Sequence, residues 1–282
     1  MGRKLKELTI KDNFLFGAVM VEDDNCKELL EMILGKKIEN IVVDKDKSIA
    51  YHPERKGVRL DVYAKDEERT HYNIEMQVAK KPALGKRSRY YQSQMDMELL
   101  LSGHDYEELP DTYVIFICLF DPFGEGKYCY TFEKQCKEDK KCLLKDGAKI
   151  IFLNTEGKNV DEVPKELVTF LKFVRADLEE SSKDFQNEYV KKLQNTIRRI
   201  KKDRETEGNF MTIEELIEDE RKDALKEVIV ERLKELGEIP DELLEKIEEE
   251  RKEPVLKRWV RVSVQSNSIK EFIQEVNEST EI

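Results

Sequence analysis

Cysteine is scarce in this chain and odd in number: five residues in 282, Cys26, Cys118, Cys129, Cys136 and Cys142. With no CxxC pair among them, neither a closed disulfide framework nor a thiolate zinc site is indicated. The thiols read as structural or surface groups in a reducing compartment, the cytoplasm. Histidine is scarcer still; His52, His71 and His104 have no pair at helical ligand spacing, so each reads as an ordinary core or surface residue. Long apolar runs are absent. The longest, residues 113–120 (YVIFICLF), is far too short to span a bilayer and reads as a buried strand. No targeting segment is visible: Met1-Gly2 opens the chain, but Lys6 stands where a myristoylation signal wants Ser or Thr. No repeat period is clean enough for a solenoid.

What the chain has in excess is charge. Charged residues make up 39%, well above the usual quarter of a globular protein, and the net charge is −11. Indiscriminate coating of nucleic acid is disfavoured, whereas a local basic groove is not. The length allows one sizeable domain plus an appended module.

Residues 11–35 have helical spacing, with Phe14, Phe16, Val19 and Met20 followed by Leu29, Leu30, Ile33 and Leu34, and Gly35 as the cap. Strand signals follow at residues 38–43, then in GVRLDVYA and HYNIEMQVA, which flank the charged turn KDEER. A helix over residues 84–102 ends at Gly103, and further strands are expected at 113–120, 128–132 and 149–154. The pattern predicts an α/β fold, a mixed sheet with helices on its faces. The character changes near Val174. From Ser181 onward strand signals vanish, and Phe185, Tyr189, Leu193, Ile197 and Ile200 form one helical stripe. Thr212 with Glu215 reads as a capping box opening a new helix that runs to Leu236. The EGN at 207–209 reads as a hinge, and Pro240, Pro254 and Asn267 mark later breaks. The expected division is a domain over residues 1–175 and a charged, all-helical region over 176–282.

Chemistry concentrates around KDEER. A hairpin centred near Glu68 sets Asp61 opposite Glu75, on one face, and Gln77 shares that face because side chains alternate with period two. Ile74, Met76 and Val78 are then expected to point into the core. Two close carboxylates repel unless a cation offsets their charge, and Mg²⁺ or Mn²⁺ favours such oxygen ligands. Spacing alone does not separate a metal site from the polar face of any solvated hairpin. The following helix opens with Lys80, Lys81, Lys86, Arg87 and Arg89 around Tyr90 and Tyr91. Lys86, Arg87 and Arg89 are the expected phosphate-backbone contacts. Cations there oppose the helix dipole, and a solvated helix start accounts for them equally well.

GVRLDVYAKDEERTHYNIEMQ resembles the core of the PD-(D/E)XK nuclease family transposases, the recombination-promoting nuclease group. KDNFLFGAVM is similar to that family's first helix, which places Asp12 at its acidic position. KRSRYYQSQM and YVIFICLFD are similar to its next helix and strand. The resemblance spans roughly residues 8–155, and residues 225–272 resemble a short helical module at the ends of such chains. It implies a restriction-endonuclease-like fold with a mixed four-stranded core. It also implies metal-dependent DNA endonuclease activity tied to recombination or mobile elements. Carried over by motif, Asp61 and Glu75 would ligate the metal, and Glu75-Met76-Gln77 would stand for (D/E)-x-K. Gln77 departs from the expected Lys: it donates a hydrogen bond without charge. Tyr91 and Gln92 are expected to add supporting contacts.

Two functions are therefore expected in competition. In one, the chain hydrolyses DNA phosphodiesters with Mg²⁺ or Mn²⁺, using Asp61, Glu75, Gln77 and Asp12. In the other, the nuclease fold is catalytically weak and serves as a nucleic-acid or protein interaction module. In both, no membrane is involved, and the C-terminal helices are the expected surface of any homo-oligomer.

Overall fold

Among the described residues, apolar periods of two and of three to four in the first two hundred positions build a six-stranded sheet, a two-stranded ribbon and five α-helices. The computed structural model describes residues 3–45, 47–49 and 57–278. His52 lies outside them. In chain order the elements are α1 (Asn13–Met20), α2 (Asp23–Leu34), β1 (Ile41–Lys45), β2 (Ser48–Ile49), β3 (Val58–Arg59), β4 (Val62–Asp66) and β5 (His71–Gln77). After these come α3 (Leu84–Leu99), β6 (Thr112–Cys118), β7 (Cys129–Phe132), β8 (Ala148–Asn154), α4 (Lys165–Arg175) and α5 (Glu188–Ile200). The C-terminal segment adds α6 (Arg204–Leu236), α7 (Asp241–Glu249), α8 (Glu253–Gln265) and α9 (Ile269–Glu278).

Six strands pair in the order β1-β4-β5-β6-β8-β7, and β2 and β3 form a separate ribbon. The sheet is mixed: β5, β6 and β8 run parallel, while β1 with β4, β4 with β5, and β7 with β8 are antiparallel. This is two strands more than the four-stranded core the family resemblance implies, because β1 and β7 extend the sheet on either side. The single helix expected over residues 11–35 is two, α1 and α2, parted at Val21 and Glu22; Gly35 does close the second, at φ 66°.

The β4–β5 hairpin carries the charged turn at its tip. Asp66 fixes that turn: Oδ1 accepts from the Thr70 N–H at 2.8 Å and Oδ2 from the Tyr72 hydroxyl at 2.6 Å. Val62 pairs with Ile74 and Tyr63 with Asn73, so the register continues to Asp61 opposite Glu75. One sheet face, with Val114, Phe116, Cys118 and Phe152, packs against Tyr91 and Met95 of α3. The alternate residues Ile74, Met76, Ile115 and Ile117 are buried on the other face. Val78, expected to point inward, is 49% exposed because β5 ends at Gln77.

Contacts divide the chain into Lys4–Glu207 and a second unit comprising Gly208–Ile282 with the extreme N-terminus. Residues 176–207 belong with the sheet. The reason is the stripe on α5: Tyr189, Val190, Leu193 and Ile200 are buried, and α5 packs against α1, α2 and α4. Phe185 precedes that helix. The second unit has its own core of Ile229, Leu233, Leu243, Ile247, Leu256, Trp259, Phe272 and Val276. No capping box opens a helix at Thr212. α6 is already under way, Asp203 caps its start by accepting from the Thr206 N–H at 2.8 Å, and the Thr212 hydroxyl donates back to the Gly208 carbonyl at 3.1 Å. The EGN residues are helical too, and the division between units falls within them. Among the described residues no helix is long and apolar enough to cross a membrane.

Candidate active site

Asp61 stands one residue before β4, and Glu75 and Gln77 stand two apart on β5. The hairpin register makes them neighbours. The Asp61 N–H donates to Glu75 Oε1 at 3.2 Å, and the Met76 N–H donates to Asp61 Oδ2 at 3.0 Å. Each carboxylate is thus held by the backbone of the opposite strand. Asp61 is half-buried, while Glu75 and Gln77 are only 2% and 4% exposed. The face that reads as solvated in the sequence is in fact covered by α3.

Burial, and after it the negative charge of Asp61, holds the Glu75 carboxyl well above the ordinary carboxylate range. The Asp61 N–H and the Arg87 guanidinium act against that rise. Asn73, buried on the same face, also favours the ionised form, yet neither of its amide atoms makes a hydrogen bond of good geometry.

Arg87 comes from the first turn of α3. The helix forms because Ser88, Tyr91, Gln92 and Met95 recur at three- and four-residue spacing and bury one stripe. Arg87 and Tyr91, one turn apart, share an edge of it. Arg87 Nη1 donates to Gln77 Oε1 at 2.8 Å, and Nη2 donates to Glu75 Oε2 at 3.2 Å. Tyr91 fixes the guanidinium from behind, its hydroxyl accepting from Nε at 2.9 Å and from Nη2 at 2.6 Å. The remaining end of Gln77, Nε2, donates to the Ala79 carbonyl at 2.6 Å. A guanidinium therefore occupies the neighbourhood in which the motif expects a lysine ammonium.

The structure distributes the other expected residues more widely. Asp12 stands at the N-cap position of α1, but its carboxylate turns back, accepting from the Thr9 N–H at 2.8 Å rather than from a helix N–H. Its neighbour Asn13, missed in the sequence, reaches the site directly, with Nδ2 3.3 Å from both Asp61 carboxylate oxygens. The signal was present in the same first-helix segment, one residue away. Lys86 and Arg89 are exposed, whereas Arg87 turns inward to the carboxylates. Gln92 faces elsewhere, donating to the Thr112 carbonyl at 2.7 Å, and so ties α3 to β6. His71 is buried against the Tyr63 hydroxyl, and His104 is exposed beside Glu108.

A profile of the PD-(D/E)XK nuclease family transposases matches residues 13–227. The chain belongs to that family. Comparison with curated proteins and with solved structures gives no match. The matched span contains Asn13, Asp61, Glu75, Gln77 and Arg87, and begins one residue after Asp12. The mixed sheet flanked by helices is consistent with the PD-(D/E)XK nuclease fold, whose members generally use divalent metals.

Among the described residues no group of three or more His, Cys, Asp or Glu is placed to hold a metal ion. The donor set of this PD-(D/E)XK chain is smaller, two carboxylates with the Asn13 and Gln77 amides beside them. It fits a hard cation that keeps much of its own water, since Mg²⁺ typically takes one or two carboxylates plus water and phosphate. The raised proton affinity of Glu75 is the supporting observation. A buried like-charge pair favours whatever cation, proton or metal, offsets it.

Proposed function

We propose that this chain is a divalent-metal-dependent DNA endonuclease, acting in the cytoplasm on mobile-element or recombination substrates. The observation that carries the reading is the pairing of Asp61 with Glu75, clasped through the backbone, with a guanidinium on the buried side. Asp61 and Glu75 are the residues that would hold Mg²⁺ or Mn²⁺. When bound, such an ion polarises a phosphoryl oxygen and lowers the pKa of water. Asp61, the more exposed carboxylate, faces the side from which a phosphodiester enters. Glu75, nearly dry, is kept in place by Arg87 and the Asp61 N–H. Arg87 is a positioning residue: it orients Glu75 and Gln77 and supplies the positive charge that Gln77 lacks. Asn13 orients Asp61, and Asp12 fixes the turn that delivers Asn13. Lys86 and Arg89, exposed at the head of α3, take the phosphate backbone. Every one of these residues lies in Lys4–Glu207.

The small donor set favours a second reading, a nuclease fold that binds nucleic acid or protein with little catalysis. Self-association through the C-terminal helices suits either reading, since Met211, Leu216 and Ile217 of α6 are exposed apolar residues.

The test is incubation of plasmid DNA with the protein and Mg²⁺ or Mn²⁺, beside Asp61→Ala and Glu75→Ala and a chelator control. Cleavage by the wild type alone, lost with the chelator, is the expected result. Equal cleavage by all three proteins would mean a contaminant or a different site. Metal-binding calorimetry separates the two readings: no heat of binding and no cleavage leaves the interaction module.

A further inference from the structure

The positive charge of this acidic chain is not spread evenly. Residues 191–202 contain six basic residues and no acidic one, in a protein of net charge −11. They follow α5 and the turn after it. Lys191, Asn195, Arg198, Arg199 and Lys202 recur at intervals of three and four and are all exposed, opposite the stripe that packs on α1, α2 and α4. At about 1.5 Å per residue the row is roughly 16 Å long.

Two structural explanations cover part of the row. Cations in the last turn of a helix favour its dipole, which accounts for Arg198 and Arg199 but not for Lys191 and Lys192 near the start. Ion pairs occupy others: Lys192 with Glu28 at 3.2 Å, Lys191 weakly with Glu188 at 3.8 Å, and Arg199 with Glu22. Arg198 and Lys202 make no ion pair among the described residues. Both line a surface hollow with Asn195, Arg199 and Asp203, and Asn195 and Arg199 also line a second hollow with Lys191 and Lys192, where Glu22 and Glu188 are the acidic members.

The turn after α5 is tied to the N-terminal segment that leads to the candidate active site. Lys201 Nζ donates to the carbonyls of Lys6 and Leu8, at 3.0 and 2.5 Å. That segment continues through the Thr9–Asp12 turn to Asn13, whose amide meets Asp61.

We infer that the exposed face of α5 is a phosphate-backbone binding surface for duplex DNA, guiding the duplex toward Asp61 and Glu75. The inference rests on the nuclease reading for its ligand and adds a surface remote in sequence from Lys86 and Arg89. Its chemistry is that of backbone tracking: guanidinium and ammonium groups with one amide donor, evenly spaced, without aromatic residues for stacking on bases. On the order of five base-pair steps of 3.4 Å fit along the row.

The experiment measures anisotropy of a fluorescent duplex oligonucleotide with the full chain, in chelator so that cutting does not intervene, over a series of salt concentrations. The Arg198→Gln, Lys202→Gln double variant is compared with wild type. A Lys257→Gln, Lys270→Gln variant in the C-terminal unit matches the change in net charge. Loss of two phosphate contacts should weaken binding about tenfold or more at low salt and flatten the salt slope by about 1.8. The control pair should bind as wild type does. Wild-type affinity and slope in the α5 variant overturn the inference, and so does equal weakening in the control, which would be a net-charge effect. Cleavage by wild type, measured separately with Mn²⁺, keeps the two readings apart. Metal-dependent cutting with unweakened binding retires the α5 surface alone. Weakened binding in a protein that never cuts retires the nuclease alone.

Discussion

Asp61 and Glu75 are locked to each other through their backbones, the Asp61 N–H on Glu75 Oε1 and the Met76 N–H on Asp61 Oδ2. The clasp places two carboxylates where their charges interact, and burial keeps Glu75 reluctant to ionise. Such an arrangement costs the empty protein stability and is relieved by a cation. A polar pair kept only for folding would gain little from this closeness.

Asp61→Asn should therefore separate chemistry from stability. Asparagine still accepts from the Met76 N–H, so the clasp survives, while the charge acting on Glu75 is gone. In chelator the melting temperature should equal or exceed that of wild type. Mn²⁺ should raise the wild-type value by mass action and leave the variant unmoved. Metal-dependent cleavage should fall on the order of 10²-fold or more. A variant that melts higher with Mn²⁺, as wild type does, would remove Asp61 from the metal site.

Truncation tests which helices the sheet needs. Ending the chain after Glu207 should leave a cooperative fold by thermal circular dichroism, because the sheet unit is compact up to that residue. Ending it at Ser181 removes α5 and with it the buried Tyr189, Val190, Leu193 and Ile200. At about 1.5–3 kcal/mol for each side chain, the loss is roughly 6–12 kcal/mol, as large as the whole stability of a typical domain. A folded 1–181 fragment would contradict the packing of α5.

These outcomes mark where the sequence was readable. Period-two alternation on both sides of KDEER was enough to set Asp61 against Glu75, since a slip of one residue would have turned Ile74 to the wrong face. The same alternation could not tell a solvated polar face from one buried under α3, because the covering residues, Tyr91 and Met95, lie on another element. Arg87 looked like a phosphate contact for the same reason: basic residues at a helix start usually face water. The stripe of α5 was legible, but not the partners it packs on, so the helix read as part of the tail. Thr212 and Glu215 satisfied a local capping pattern that the continuing helix α6 overrides.

Acid should destabilise the protein through His71. Burial first, and then the charges of Lys65, Lys47 and Arg69, depress its pKa from 6.5 to about 4. Above pH 6.5 the imidazole is neutral in both folded and unfolded chains, and its full contribution is present. As pH falls from 6.5 toward 4 the unfolded chain takes up a proton that the folded one refuses, so stability declines across that window. Urea denaturation at several pH values, comparing wild type with His71→Gln, should show a steeper loss in wild type between pH 6.5 and 4. Parallel curves would mean that His71 is protonated in the folded protein.

Arg87 gives the sharpest test of how charge is supplied around Gln77. Arg87→Ala removes the partner of a carboxylate that is 2% exposed, which should destabilise by about 2 kcal/mol, less than for a fully buried pair because a third of Arg87 is exposed. It should also lower metal-dependent cleavage on the order of 10²-fold. Gln77→Lys alone sets an ammonium against the guanidinium that Gln77 Oε1 now accepts from at 2.8 Å, so activity should not rise and the melting temperature should drop. The two changes together put the cation on β5, two residues after Glu75 on the same face, in the motif's usual place. If Arg87 works through its charge, the double variant should recover at least about tenfold of the activity lost in Arg87→Ala, a coupling of roughly 1.4 kcal/mol in the double-mutant cycle. If instead its role is to brace α3 through Tyr91, lysine at position 77 restores nothing, and the double variant is as slow as Arg87→Ala and less stable. Initial cleavage rates with Mn²⁺ for the four proteins, beside their melting temperatures in chelator, decide between these outcomes.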